Sequence, residues 1–373
     1  MKWDKKPLEA IADFRLGKML DEKKNRGDLL PYLANVNVRW GGFDLDDLRE
    51  MRFEQHELDK YGLQHGDIVM CEGGEPGRCA IWKDQAPCMM IQKALHRIRP
   101  HECLNTDFLY YLFLHKGRAG HLSPLFTGAT IKHLPREKLA LVEIEVPPLL
   151  HQKRIADILS SYDDLLTNNA RRIRLLEDAA RLLYEEWFVR LRFPGHEHTP
   201  IHNGLPKGWQ KKPLEEIAPL NYGKALKQED REPGPCPVYG SSGIVGMHSR
   251  ALVDGPSIIV GRKGNVGSVH LALSGFWPID TVYYVDTEHF GYYLLHNLRY
   301  QNFISSDAAV PGLNRTFAHS LPVLVPPLTL QSQFEDFAAV IYRQISMLTQ
   351  QNQKLEQARD LLLPRLMSGE IAV

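Results

Sequence analysis

The chain has 373 residues, 43% of them hydrophobic and 24% charged, with 45 basic side chains against 45 acidic ones. That length suits two or three domains of about 100–200 residues each, and the composition excludes a largely disordered chain, a fibre or a membrane protein. Zero net charge argues against a free-standing polyanion binder, so any attraction to nucleic acid must come from local patches or from partners.

The N-terminal Met1-Lys2-Trp3-Asp4-Lys5-Lys6 leads into no apolar stretch, and no run approaches the roughly 20 apolar residues of a membrane span, so a cytoplasmic location is expected. The same opening, Trp3-Asp4-Lys5-Lys6-Pro7-Leu8-Glu9, recurs as Trp209-Gln210-Lys211-Lys212-Pro213-Leu214-Glu215. Gly74 and Gly77, after an apolar run, match Gly264 and Gly267; Phe108-Leu109-Tyr110-Tyr111-Leu112 matches Phe290-Gly291-Tyr292-Tyr293-Leu294; Val146-Pro147-Pro148-Leu149 matches Val325-Pro326-Pro327-Leu328. One unit is written twice. The offset between copies shrinks from anchor to anchor and then holds without a gap through the tail, so the first copy carries insertions in its variable part while the tail keeps one length.

Short β-like runs (Asp67-Ile68-Val69-Met70, Ser257-Ile258-Ile259-Val260, Thr281-Val282-Tyr283-Tyr284-Val285) are separated by Gly, Pro and Asn, which predicts an α+β domain in each copy. Proline bars helix from the residue before it and suits the first turn after it, so each Val-Pro-Pro-Leu marks a helix start. The predicted architecture is α+β: two tandem α+β domains at 1–146 and 193–325, each followed by a long helix, at 147–192 and 326–373.

In the first tail Ile155, Leu159, Tyr162, Leu166, Asn169, Ile173, Leu176, Ala180, Leu183 and Trp187 alternate four and three residues apart. Phe334, Ala338, Ile341, Ile345, Leu348, Asn352, Leu355, Arg359, Leu362 and Leu366 repeat the pattern in the second. A single helix docked on a globular core needs a wider stripe and does not sustain a 3.5 period so far, so the tails are expected to form a coiled coil. A buried asparagine against an apolar side chain leaves its amide unpaired, at roughly 1–3 kcal/mol. Antiparallel overlap sets Asn169 opposite Asn352, so the antiparallel register is favoured; the other reading puts them at a helix break or against another subunit.

No GxxxxGK[ST] loop, HExxH helix, GxSxG elbow or Asn/Asp-Pro-Pro-Tyr/Phe stretch occurs, so no catalytic residue and no bound cofactor is assigned to this chain. Cys71, Cys79, Cys88, Cys103 and Cys236 form no CxxC pair and read as ordinary buried thiols; the histidines share no metal-ligand spacing, so no metal is expected. Gly261-Arg262-Lys263-Gly264-Asn265-Val266-Gly267 reads as a tight turn offering Arg262 and Lys263 to a phosphate or a guanine edge, or equally as a hairpin turn with solvated charges. The corresponding Cys71 to Arg78 segment keeps only Arg78 as a basic residue. Further DNA-binding candidates are Tyr239, Ser241 and Ser242 in Tyr239-Gly240-Ser241-Ser242-Gly243, Arg315 after Pro311-Gly312-Leu313-Asn314, Arg39 beside Trp40, Lys132 beside His133, and the loop Lys23-Lys24-Asn25-Arg26. Taken singly, each is more often a solvated charge or a turn residue.

The twice-written unit, the Val-Pro-Pro-Leu entries, the tail Gln152-Lys153-Arg154-Ile155 through Glu185-Glu186-Trp187-Phe188 and the ending Arg365-Leu366-Met367-Ser368-Gly369-Glu370-Ile371 together resemble the specificity subunit of type I restriction-modification systems, over essentially the whole chain. Tyr239 to Gly246 followed by Ile259 to Gly264 is similar to one form of that family's target-recognition domain. The resemblance implies two domains that each read one half of a bipartite, asymmetric double-stranded DNA site, with the helices setting the spacer. It also implies partners: two modification subunits that use S-adenosylmethionine to methylate adenine, and restriction subunits that use ATP and magnesium to translocate and cut. A neutral reader would then rely on those partners for part of the phosphate attraction. Two alternatives remain: a coiled-coil adaptor without DNA binding, which the flat charge permits, and an enzyme with a nuclease or methylase site of its own, which the missing motifs disfavour.

Overall fold

The structure, a computed structural model, describes residues 3–21, 25–303 and 312–373. Lys23 and Lys24 of the basic loop, and Pro311, lie outside the described residues. The chain divides into two compact units, residues 1–168 with 352–373, and residues 169–351.

In the first unit, Ala12–Leu16 alternates inward Ala12 and Phe14 with outward Asp13 and Arg15, as a strand at a sheet edge with one buried face must. The interior strand Ile68–Cys71 is buried along its whole length. These strands form an antiparallel sheet in the order Ala12–Leu16, Leu95–Pro100, Ile68–Cys71, Cys79–Ile81. A smaller sheet runs Arg49–Phe53, Asp28–Leu33, Met90–Ile91, its last pair parallel. Helix Thr106–Arg118 starts where the Asn105 side chain accepts the Phe108 N–H at 2.9 Å, and Phe108 to Leu114 are all buried. Asp4–Pro7 pairs antiparallel with Glu143–Val146, so the chain leaves this domain beside its entry. Gln152, fully buried at the base of the following helix, donates to Cys103 O and Pro147 O and accepts from Asn105 N–H.

The second unit repeats this plan. Gln210–Pro213 pairs with Pro322–Val325, the main sheet runs Leu220–Tyr222, Val282–Val285, Ser257–Gly261, Val269–Ala272, and the small sheet runs Gly243–His248, Cys236–Gly240, Trp277–Pro278 with its last pair again parallel. Even a buried tertiary hydrogen bond is duplicated: His96 Nε2 donates to Leu134 O at 2.8 Å, and Tyr283 Oη to Leu313 O at 2.9 Å. The predicted insertion in the first copy falls largely in one connection. Where Ser241 and Ser242 alone turn the second small sheet, the first copy spends residues 34–48, including the hairpin Val38–Arg39 with Gly42–Phe43, and it adds helix Gln55–Tyr61.

The long helices are Leu149–Tyr184 and Leu328–Met367, each beginning at the leucine of Val-Pro-Pro-Leu. Every predicted seam position is buried or half-buried, in a surround that is mostly exposed. In the first unit Ile155 and Leu159 share a core with Leu363, Leu366 and Met367, and Asp163 Oδ1 meets Arg359 Nη1 at 2.5 Å. In the second, Asn169 donates to Gln351 Oε1 at 3.4 Å while Tyr184 and Trp187 pack on Phe334. Within each unit the numbering rises along one helix as it falls along the other, so the pair is antiparallel.

Some expectations change. Trp187 keeps its buried place but sits in a wide turn, Glu185–Val189, with i→i+5 bonding, where the 3.5 period has ended. Arg359, which breaks the apolar pattern, is held by Asp163, whose other oxygen accepts the Tyr111 hydroxyl at 2.7 Å. Cys71 and Cys79 are buried as expected, but Cys88 and Cys103 are exposed. No helix among the described residues is long and apolar enough to cross a membrane.

Removing either member of the Asp163 to Arg359 pair should destabilise the first unit, and unequally. Asp163→Ala strips the acceptor from Tyr111 and leaves Arg359 with Asp360 alone, while Arg359→Met leaves Asp163 with Tyr111 and fills the seam with an apolar chain. Thermal unfolding should show Asp163→Ala losing about 2–3 kcal/mol and Arg359→Met about 1 kcal/mol; equal losses would mean the ion pair alone matters.

Candidate nucleic-acid interface

The glycine turn of the second unit joins strands Ser257–Gly261 and Val269–Ala272. Its Gly261 N–H donates to Ser268 O and its Gly267 N–H to Gly261 O; Gly264 and Gly267 have φ of +79° and +78°, where a side chain is strained. The first unit builds the same turn, with Cys71 N–H to Arg78 O, Gly77 N–H to Cys71 O, and Gly74 and Gly77 at +83° and +90°. The matched bonds align the copies residue by residue. Leu313 N–H donates to Arg262 O as Leu134 N–H donates to Glu72 O, so the counterpart of Arg262 is Glu72, that of Lys263 is Gly73, and Arg78 corresponds to Ser268.

Arg78, the one basic residue that the first turn keeps, therefore does not stand in the place of Arg262. Its guanidinium is turned inward, to Asn35 O at 2.9 Å and Glu75 at 2.8 Å. The first unit instead presents Glu72 with His133 Nδ1 at 3.0 Å where the second presents two cations. The two turns are opposite in charge.

Around the second turn the predicted residues converge. Asn265 N–H donates to Ser241 Oγ and Asn265 Nδ2 to Ser242 Oγ, while Ser268 Oγ and His270 both bond Ser241 O, so the serine hairpin and the glycine turn form one surface. Ser242 and Lys263 are exposed; Ser241 is buried and braces the turns. Tyr239 is only 8% exposed, packed edge-on against Phe276 with its hydroxyl on Leu271 O, so it supports this surface from below. Arg262 is fixed by its own N–H on Thr281 O and by Nη1 on Asp280 O at 3.1 Å. Its guanidinium lies 5.0 Å from the Tyr222 ring centre, and that of Arg315 lies 4.8 Å from the same ring. Two cations thus share one aromatic ring that is 48% exposed, and among the described residues no carboxylate forms an ion pair with either. The ring also meets Tyr283 edge-on, whose phenol burial pushes above its usual range. An aromatic plane flanked by guanidinium donors suits a base or a phosphate.

In the first unit Arg39 is exposed, its Nη1 on Val36 O at 2.6 Å and its Nη2 3.3 Å from Asp44. Lys132 is exposed next to His133, which pairs with Gly73 of the glycine turn. Arg39, Arg78 and Lys132 therefore gather around the long 34–48 connection and the glycine turn, matching the place of the serine hairpin in the second unit. Trp40 lies across helix Thr106–Arg118 where a Cβ at Gly117 would come within 2.6 Å of its ring. Sequence reading missed Tyr222. Its signal is weak: an exposed tyrosine ending an edge strand, with both arginines distant in sequence.

A family model described as the type I restriction modification DNA specificity domain matches residues 1–178 and again residues 206–357. The type I restriction enzyme MjaIX specificity subunit of Methanocaldococcus jannaschii is 25% identical to this chain over 409 aligned residues, spanning 100% of the chain and 94% of that protein. The putative type I restriction enzyme MjaX specificity subunit of the same organism is 21% identical with the same coverage. In fold, the crystal structure of the S subunit of a type I restriction-modification system from M. genitalium resembles it with a TM-score of 0.60 at 20% identity, over 98% of this chain and 96% of that one. With the same model matching both copies of its repeat, the chain belongs to the type I restriction-modification DNA specificity family.

Proposed function

We propose that each repeat of this specificity subunit reads one half of a bipartite, asymmetric double-stranded DNA site, and that the two halves differ because the two reading surfaces differ. The observation that carries this is the duplicated turn: the same backbone hydrogen bonds hold Arg262 and Lys263 in one copy and Glu72 and Gly73 in the other. One scaffold presents two chemistries. The domains at 1–146 and 193–325 do the reading, through Arg39 and Lys132 around the first turn, which Arg78 braces from within, and through Arg262, Lys263, Ser242 and Arg315 around the second, with Tyr239 and Ser241 bracing the latter. The chemistry belongs to partners: two modification subunits that methylate adenine from S-adenosylmethionine, and restriction subunits driven by ATP with magnesium. Those partners dock on the helices and add to the phosphate attraction that a chain of zero net charge lacks.

Exchanging residues 193–325 for the corresponding domain of a relative should change one half of the motif methylated by the assembled complex and leave the other as it was, read by methylome sequencing. A change in both halves contradicts independent reading. Arg262→Ala should weaken binding by about 1–3 kcal/mol with loss confined to sites carrying one particular base, if the guanidinium reads a guanine edge. Titration against a panel of duplexes decides this, because a uniform loss across all of them identifies a phosphate contact.

The helices act as the ruler between half-sites. Thirty-six residues make about 54 Å at ~1.5 Å each, ample for half-sites one DNA turn of ~34–36 Å apart. Asn169 and Asn352 serve as the polar markers of its register. A heptad inserted into both helices lengthens the pair by about 10 Å, close to three base pairs at ~3.4 Å each, so the methylated motif should gain spacer or lose binding because the domains also rotate about the duplex. The same insertion in one helix alone should destabilise the pair by about 1–3 kcal/mol, as unmatched amides do. Unchanged spacer and affinity after the matched insertion would show that the helices are not the ruler.

A further inference from the structure

One face of the first unit's main sheet carries a concentration of arginine. Strands Ala12–Leu16 and Leu95–Pro100 are in register so that Arg15 stands directly opposite Arg97, and Asp13 opposite Arg99. Like charges directly across a strand pair destabilise it. Helix Arg136–Ala140 brings a fourth, Arg136, whose guanidinium sits 4.9 Å from the Phe14 ring. Together these arginines line a cleft of about 460 Å³, which Glu9 and Asp13 also line.

Of these four arginines only Arg99 forms an ion pair among the described residues. Asp67 is engaged bidentately by Arg99, at 2.7 and 2.8 Å, which raises the Arg99 pKa above its usual value. Asp13 stands 3.5 Å from His101. Arg97 is 7% exposed and anchors only to backbone carbonyls, through Nη1 to Asp59 O at 3.1 Å and Gly62 O at 2.8 Å; its Nε is buried without a partner. Burial and the neighbouring Arg99 pull its pKa below the arginine norm. Arg15 and Arg136 are exposed, and among the described residues neither forms an ion pair. Three guanidinium groups, one of them with a buried unsatisfied donor, thus share a cleft whose acidic lining is Glu9 and Asp13, and among the described residues neither acid forms an ion pair with them.

We infer that this cleft is an anion site for a phosphodiester of the DNA backbone, held by Arg15, Arg97 and Arg136. A phosphate there would accept from the exposed forks of Arg15 and Arg136 and offset their repulsion of Arg97, and it carries no base information. The site is private to the first copy. At the positions matching Arg15 and Arg97 the second unit pairs Asn221 with Tyr284, and only Arg136 has a basic counterpart, Arg315. The first repeat, whose glycine turn is acidic, therefore grips the backbone with its sheet face, whereas the second concentrates its cations at the turn.

This inference rests on the reading of the chain as a DNA-binding subunit, and the test separates the two. The full chain assembled with its modification subunits is titrated with a specific duplex and with an unrelated one over a salt series, as wild type, as Arg15→Gln, as Arg136→Gln and as the double variant. Both residues are exposed, so the fold is not at risk. The expected result is a slope of log affinity against log salt that is shallower by about 0.9 for each phosphate no longer neutralised, equal on both duplexes, with the methylated motif unchanged. An unchanged slope overturns the cleft as a phosphate site while leaving DNA reading intact. A loss confined to one sequence overturns it in favour of base contact, and weakened assembly without DNA, with the slope preserved, assigns the cleft to an acidic surface of a partner subunit. Absence of DNA binding by the wild-type complex overturns the underlying reading and the cleft with it.

Discussion

Each domain of this protein completes its core with a helix end that belongs, in sequence, to the other half of the chain. Leu363, Leu366 and Met367, from the last helix, lie in one apolar cluster with Leu8, Phe108, Ile144 and Leu159. Ala180 and Tyr184, from the helix that follows the first domain, and Trp187 and Phe188 just beyond it, lie with Trp209, Leu294 and Phe334 in the other. Burying each such side chain contributes roughly 1.5–3 kcal/mol, so a repeat cut from its partner would lose a substantial share of its stability and expose an apolar face. The heptad seam is thus more than a connector, since it continues directly into both cores. The strand pairs Asp4–Pro7 with Glu143–Val146 and Gln210–Pro213 with Pro322–Val325 serve the same constraint, delivering the chain to each helix start at a fixed point.

The parts of this architecture legible in the sequence are those encoded by local period or by repetition. Heptads identify the seam because one buried stripe per helix needs a 3.5 spacing, and Val-Pro-Pro-Leu marks both starts because proline permits a first turn and forbids what precedes it. Paired glycines locate the turns, since φ near +80° excludes other residues, and those anchors align the copies correctly. Chemistry between the anchors is harder to place. Charge alone matches Arg78 to Arg262 within the aligned turn, whereas the hydrogen-bond pattern gives that position to Glu72. Tyr222, and the opposition of Arg15 to Arg97, depend on strand register between segments far apart in sequence, which no local pattern encodes. The end of the first helix is also hidden: Trp187 stays in the seam's spacing although the backbone around it has opened into a wider turn.

A balanced composition conceals an uneven distribution. Arginine and lysine collect where backbone geometry holds them, on a turn fixed by Thr281 and Asp280 carbonyls and on a sheet face where two strands align their arginines, while the long helices carry mixed charge. Zero net charge then has a physical use in a reader of DNA sequence. Strong overall attraction would hold the protein equally to every site, whereas localised cations on rigid elements favour the few arrangements in which base and backbone contacts form together.

The borrowed helix end also sets an order of events during synthesis. The first domain is translated long before three of the side chains that complete its core, Leu363, Leu366 and Met367. At about 5–20 residues per second, the stretch between the first helix and Leu363 takes on the order of 10–40 s to make. During that interval Ile155 and Leu159 have no helix to pack against, and the nascent domain presents an open apolar groove to chaperones or to another chain. A protein truncated shortly before Leu363 would keep both of its glycine turns and still lack a finished first domain, so an error downstream in the message is felt in the domain that is made first.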